Sequence, residues 1–177
     1  MSRRDSLEKA INANRGHLIA ADWSIALSEA CGVEIGKDRF LAVDITVELK
    51  RAVFEKLRNH GNTIRTQFWR KEQFEDVESY LSALSSRVHD LRVILFSSVD
   101  ESIGAVILPA DCILSRVKVV WTMVGEDLCL TTEDLQHGLC LEENFYGDKG
   151  EYVRDGVYEL ATWGAFSEAI VIDSSKE

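Results

Sequence analysis

The sequence predicts an α+β fold in which N-terminal helices pack on one face of a mostly antiparallel C-terminal β-sheet. Through residues 1–90, apolar residues recur at three- and four-residue spacing, which is typical of helices. From residue 91 the pattern changes to short branched apolar runs and to alternation, which is typical of strands. The segments between these runs are too short for helical crossovers, so neighbouring strands are expected to run antiparallel.

Composition favours one folded unit over residues 1–177, helical over 1–90 and β-rich over 91–177. Apolar residues make up 46% of the 177 residues, which is enough to bury a proper core. Proline occurs once and no Pro/Gly/Ser-rich stretch marks a linker. The N-terminus carries basic residues without an apolar stretch behind them, and no run is long enough to cross a bilayer. We therefore expect a cytoplasmic protein.

The first helix is expected to begin near Asp5, to be interrupted at Gly16, to resume at Asp22 and to end at Gly32. A second helix is predicted from Thr46, as its N-cap, to Gly61. A third helix is predicted from the most regular apolar spacing in the chain. The residues with this spacing are Phe74, Val77, Leu81, Leu84 and Val88.

Two continuous apolar runs, residues 91–96 and 103–108, predict strands in the middle of the sheet, separated by a polar turn at Asp100 and Glu101. Alternation or β-branched composition predicts five further strands. These cover residues 117–123, 128–132, 138–144, 156–163 and 170–172.

The cysteines form no CxxC pair and lie in apolar contexts, so we expect free, buried thiols. The four are Cys31, Cys112, Cys129 and Cys140. A disulfide between Cys129 and Cys140 is the alternative, and it would require export from the cytoplasm.

Sequence motifs for catalysis and for cofactor binding are missing. There is no GxGxxG, GxxxxGK[ST], GxSxG or HExxH, and the four histidines lack metal-type spacing, so no metal or organic cofactor is expected. A hydrolase with a convergent carboxylate pair remains an alternative. The pairs available are Glu126/Asp127, Glu133/Asp134 and Glu142/Glu143.

Basic residues cluster between positions 50 and 71, with Phe68 and Trp69 among them. An exposed cluster of this kind could contact phosphates. However, Glu48 and Glu55 accompany it and the net charge of −10 opposes attraction to a polyanion. We interpret the cluster as a solvated helix face and expect no direct nucleic-acid binding.

The net negative charge is confined to the C-terminal half. Residues 1–90 hold 14 Lys/Arg and 14 Asp/Glu, whereas residues 91–177 hold 6 and 16. Residues 125–160 alone hold ten acids against two bases, interleaved with aromatic side chains. Such a surface attracts a cationic partner over distance and then holds it by desolvated contacts. The predicted contact residues are Glu126, Asp127, Glu142, Glu143, Asp148, Glu151 and Asp155.

Three C-terminal segments carry a resemblance. They are Gly-Glu-Asp-Leu at 125–128, Gly-Leu-Cys-Leu-Glu-Glu at 138–143 and Tyr-Glu-Leu-Ala-Thr-Trp-Gly at 158–164. Through these three segments, the C-terminal half resembles the small acidic immunity proteins of bacterial polymorphic-toxin and contact-dependent growth-inhibition systems. The resemblance implies a cytosolic inhibitor that binds one toxin domain, often a basic nuclease, and blocks its active site or substrate surface. It assigns no individual site residue.

The leading interpretation is therefore a non-enzymatic inhibitor that binds a basic toxin domain. The alternatives are the carboxylate hydrolase and a generic module that dimerises through an exposed sheet edge. The sequence leaves the oligomeric state open.

Overall fold

The computed structural model describes residues 3–59, 63–125, 127–146 and 152–167. The helices in these ranges are α1 (Arg3–Cys31), α2 (Val43–Arg58), α3 (Phe74–Ser85), α4 (Asp100–Ile103), α5 (Ala110–Leu114) and α6 (Val117–Val124), with short 3-10 turns at Lys37–Arg39 and Lys71–Gln73. The strands are β1 (Arg65–Arg70), β2 (Arg92–Leu95), β3 (Val106–Pro109), β4 (Leu128–Thr131), β5 (Gly138–Tyr146) and β6 (Tyr152–Trp163). The predicted α+β class is confirmed.

Within the described ranges, six strands form one sheet in the order β1-β6-β5-β4-β2-β3, and each neighbouring pair is antiparallel. The predictions for β4, β5 and β6 are confirmed, whereas residues 170–172 lie outside the described part. Strand β2 is interior, as expected, but β3 lies at an edge. Residue 103, assigned to β3 from the sequence, belongs to α4 instead.

Helices cover both faces of the sheet, whereas one face was expected. Helices α1, α3, α5 and α6 pack on what we call the first face, which carries Leu95, Leu130, Leu141 and Leu160. Helix α2 packs on the second face, where Val53 meets a separate cluster. That cluster contains Ile94, Phe96, Cys129, Cys140 and Trp163.

Helix α1 runs through Gly16 without interruption and ends before Gly32, whose φ of +67° gives the left-handed exit that glycine allows. A Cβ atom at Gly16 would lie 2.8 Å from the carbonyl oxygen of Ser102, which places α1 close against α4. Gly16 therefore permits a helix contact and does not end the helix.

Helix α2 begins four residues before the predicted start, with Ala42 and not Thr46 at the N-cap. Thr46 is fully buried one turn inside it. Its hydroxyl donates to the carbonyl of Ala42 at 3.0 Å and accepts the Ala105 N–H at 2.9 Å. Thr46 thus fixes α2 to the segment before β3, and the predicted cap was wrong. The predicted end at Gly61 falls outside the described residues.

The strand predicted over residues 117–123 is wrong, because this segment forms α6. Val117, Val120 and Val124 are buried at three- and four-residue spacing, whereas Val119, which alternation would have buried with Val117, is 51% exposed. Gly125, with a φ of +72°, follows the last turn.

The polar turn predicted at Asp100 and Glu101 is the short helix α4, and Asp100 is buried. Its carboxylate accepts hydrogen bonds from the backbone N–H and the hydroxyl of Ser97, both at 2.9 Å, and lies 3.7 Å from the Lys50 ammonium.

Among the described helices, none combines the length and apolar character needed to cross a membrane.

The structure pairs Cys31, at the end of α1, with Cys112, in α5, as a disulfide with a Cα–Cα distance of 5.2 Å. The prediction of four free thiols was therefore wrong for these two residues. Cys129 and Cys140 lie directly opposite each other on β4 and β5, and both are free and buried. The alternative bridge between them is not formed.

Candidate protein-binding surface

Three carboxylates lie side by side across neighbouring strands on the second face. Glu142 on β5 is directly opposite Glu159 on β6. Asp127 immediately precedes β4, and the β4–β5 register, which pairs Leu128 with Leu141, places it beside Glu142. We call Asp127, Glu142 and Glu159 the acidic row. Asp127 is exposed, and the two glutamates are half-buried.

Alternation along the strands fixes the face on which the row lies. Cys129 and Cys140 belong to the cluster beneath α2, and Ala161 packs against it. Asp127, Glu142 and Glu159 each lie two residues from one of these positions, so they point to the same side of the sheet.

The C-terminal end of helix α2 packs away from the row, toward the other end of the strands. Lys56 of α2 donates to the carbonyl of Leu135 at 2.7 Å and lies 5.9 Å from the ring centroid of Trp163. Both partners are at the β4–β5 turn end of the sheet, where Trp163 is paired with Gly138. The acidic row lies four residues farther along β5.

An aromatic side chain extends the row onto β1. Phe68 is directly opposite Glu159 in the β1–β6 register and is 63% exposed. A large apolar side chain beside charged groups is the arrangement that protein interfaces use as an anchor. The acidic row and Phe68 together extend across four neighbouring strands, from the start of β4 through β5 and β6 to β1.

The electrostatics of the row centre on Glu142. Partial burial, the largest cause, raises its pKa, and so do the negative charges of Asp127 and Glu159. A hydrogen bond from the Cys140 thiol, with sulfur and Oε1 3.6 Å apart, opposes the rise. The row therefore holds negative charge at a cost that a neighbouring cation would reduce.

Glu143, the neighbour of Glu142, points to the first face. There it lines a cavity of about 300 Å³ together with Lys118 and three packed aromatic rings. The rings belong to Phe74, Trp121 and Tyr158, with centroids 5.3–5.6 Å apart. The two adjacent glutamates, both predicted as contacts, therefore belong to different surfaces.

The other predicted contacts are not placed in the row. Glu126, Asp148 and Glu151 lie outside the described residues, and Asp155 lies on β6 with its side chain outside the described part. Glu159 was not among the predicted contacts. The register shift between residues 144 and 146 sets the pairing of Glu142 with Glu159, and no local sequence signal marks that shift.

The third acidic pair, Glu133 and Asp134, lies at the opposite end of the sheet in the β4–β5 turn. Asp134 accepts hydrogen bonds from the Thr132 hydroxyl at 2.6 Å and from the Gln136 N–H at 3.0 Å, which lower its pKa. The turn borders a groove of about 530 Å³, which Arg92 and His137 also line.

Among the described residues, no group of three His, Cys, Asp or Glu could hold a metal ion.

Replacing Glu142 with glutamine is expected to stabilise the free protein at neutral pH by up to about 1 kcal/mol, because it removes like-charge repulsion across the strands. The folded-state pKa of Glu142 is raised, so its ionisation destabilises the fold as pH rises through that pKa. The stability advantage of the variant should therefore vanish at a pH low enough to protonate the Glu142 carboxyl in both the folded and the unfolded protein. Denaturant unfolding between pH 3 and pH 8 measures it. Glu133→Gln, an exposed turn carboxylate, is the control, and an equal gain there would contradict the assignment.

A family model described as YxiF protein matches residues 27–153, which is more than half of the chain and includes Phe68, Asp127 and Glu142. Neither the curated proteins nor the solved structures contain a match.

Proposed function

The chain belongs to the YxiF family, and we propose that it is a non-enzymatic immunity protein that binds and neutralises a cognate basic toxin domain. The observation that carries the proposal is the acidic row, three carboxylates on adjoining strands with an exposed phenylalanine at their end. The confinement of the net negative charge to the C-terminal half supports it.

The physical argument starts from the cost of keeping the row charged. Burial and two neighbouring negative charges oppose the ionisation of Glu142. A lysine or arginine of a partner, placed against the row, reverses the sign of the local field and favours the ionised carboxylate. Electrostatic energy that destabilises the free protein thus becomes a source of affinity in the complex.

Phe68 supplies the apolar part of the surface. Charged contacts at the rim of an interface mainly accelerate association, whereas desolvated aromatic contacts slow dissociation. The row and Phe68 lie side by side, so one basic segment with an apolar neighbour contacts both.

A nuclease is the toxin class that best fits this chemistry. A nuclease domain needs a basic surface, since its substrate is a polyanion. An acidic protein that occupies that surface excludes the substrate without performing a reaction. The resemblance to immunity proteins of toxin systems points to the same class.

The test is a binding titration against the protein encoded immediately upstream of this chain. We expect the double variant Glu142→Lys, Glu159→Lys to weaken binding at least about tenfold, equivalent to about 1.4 kcal/mol. The matched control, Glu133→Lys with Asp134→Lys, makes the same charge change at the opposite end of the sheet. It should slow association at low salt and have little effect at high salt, where long-range attraction is screened.

Each outcome of this titration decides the proposal. Loss of affinity confined to the first variant supports it. Equal losses for both variants mean that net charge alone matters, and the acidic row is then not the binding site. Absence of binding by the unmodified protein refutes the neutralisation of that partner.

A second candidate, a hydrolase, is favoured by one observation. Glu142 has a raised pKa beside Asp127, the arrangement of a general acid next to an ionised carboxylate. The variant Glu142→Gln separates the two functions. It should abolish hydrolysis of a glycoside or phosphodiester substrate by an enzyme, whereas an immunity protein shows no such hydrolysis before or after the change.

A further inference from the structure

The two edges of the sheet differ in how they are covered. At β3, Phe40 forms an isolated bridge with Val106, and the Leu41 N–H donates to the Ala105 carbonyl at 2.8 Å. These contacts occupy the outer side of β3. At the other edge, β1 pairs with β6 along all six of its residues and, within the described part of the chain, with no strand on its outer side.

Along its four central residues, the β1 edge also lacks the features that usually prevent strand addition. It contains no proline, and the β1–β6 register runs without a bulge from Arg65 to Arg70. Charges occur only at these two ends, while the four central residues are uncharged. Native edge strands are normally protected by proline, by bulges or by central charges, so a regular uncharged edge is suited to pairing.

We propose that β1 binds an extended basic segment of the partner as an additional β-strand. This inference rests on the proposed function and specifies how the partner is held. Backbone hydrogen bonds to β1 supply affinity that does not depend on sequence, and alternate side chains of the added strand supply specificity.

The register of the sheet determines which side chain the partner needs. An added strand would place one residue beside Phe68 on the second face, at the end of the line that runs through Glu159 and Glu142. Adjacent strands lie about 4.8 Å apart, so that residue would be about 10 Å from Glu159. A lysine or arginine covers most of this distance, with its stem along the Phe68 ring and its charge toward the carboxylates.

On the second face, the acidic row favours a basic partner over a second copy of this chain. A second copy would bring another net charge of −10 and a second acidic row to the same extended sheet. Its two rows would repel each other, whereas a basic segment complements the row.

Hydrogen exchange tests the proposal in the complex with the protein encoded immediately upstream. Amides of alternate β1 residues that point away from β6 should exchange at least tenfold more slowly in the complex than in the free chain. Phe68→Lys should weaken binding at least tenfold, because it places a positive charge where the partner's cation would lie. Val119→Lys, at another exposed apolar position, on α6, should leave binding unchanged.

The outcomes separate this inference from the proposed function. Binding that depends on Glu142 and Glu159 but leaves β1 exchange unchanged overturns strand addition and keeps the inhibitor proposal. If β1 is protected from exchange in the free chain, and more strongly at higher protein concentration, a second copy of the chain is the occupant. That result also overturns strand addition by the partner. Failure of the partner to bind refutes both. The fold of Phe68→Lys is checked by its circular dichroism and by its unfolding midpoint.

Discussion

Replacing Leu81 with alanine is expected to lower the free energy of unfolding by about 2–5 kcal/mol. Leu81 lies in the middle of α3, is fully buried and belongs to the core on the first face of the sheet. The alanine variant loses the transfer free energy of the removed methine and two methyl groups and leaves a cavity that the surrounding helices fill only in part. Denaturant titration measures the loss as a lower midpoint with an unchanged slope.

Leu18→Ala is the matched control, because Leu18 on α1 is 69% exposed and its truncation leaves no buried cavity. Its effect should stay within about 0.5 kcal/mol. A similarly small effect for Leu81→Ala would mean that α3 does not pack on the sheet.

The same residue illustrates why α3 was predictable from the sequence. Val77, Leu81 and Leu84 are all buried, and their spacing is that of one helix face. Periodicity is reliable where a helix has one buried and one exposed side, because the core then imposes its geometry directly on the sequence.

Helix α6 shows where periodicity fails. Its eight residues include four valines, and positions 117, 119, 121 and 123 alternate as a strand would. In so short an apolar segment the helical and strand patterns share members, and β-branched composition favours the wrong choice. Burial of Val120 and Val124 together with Val117 is what distinguishes the helix, and burial is a property of the fold.

Strand β1 was missed for a different reason. It lies at an edge and is largely exposed, so neither alternation nor a continuous apolar run marks it. Its partner is far along the chain, since Phe68 pairs with Glu159. Strand formation here depends on a long-range contact, which local sequence does not encode.

The candidate site was predictable in composition and not in arrangement. The sequence located the acids, but only the strand register separates Glu142 from Glu143 and joins Glu142 to Glu159. A change of register by one residue would exchange the faces of all these side chains. Whether the acidic row binds a partner stays a prediction.

Reduction of the disulfide between Cys31 and Cys112 is expected to lower the free energy of unfolding by about 4 kcal/mol. The two residues are 81 positions apart, so the bridge closes a long loop in the unfolded chain and removes much of its conformational entropy. In the folded protein it holds the end of α1 against α5. Unfolding midpoints with and without a reductant measure the difference.

Two observations isolate the effect to this bridge. The double variant Cys31→Ser, Cys112→Ser should be less stable than the oxidised protein and insensitive to reductant, because Cys129 and Cys140 are already free. Thiol titration of the denatured, unreduced protein should return two thiols, and four only after reduction. Four thiols before reduction would show that the bridge does not form in solution, and α1 would then be held on the first face without it, by contacts such as that of the buried Leu27.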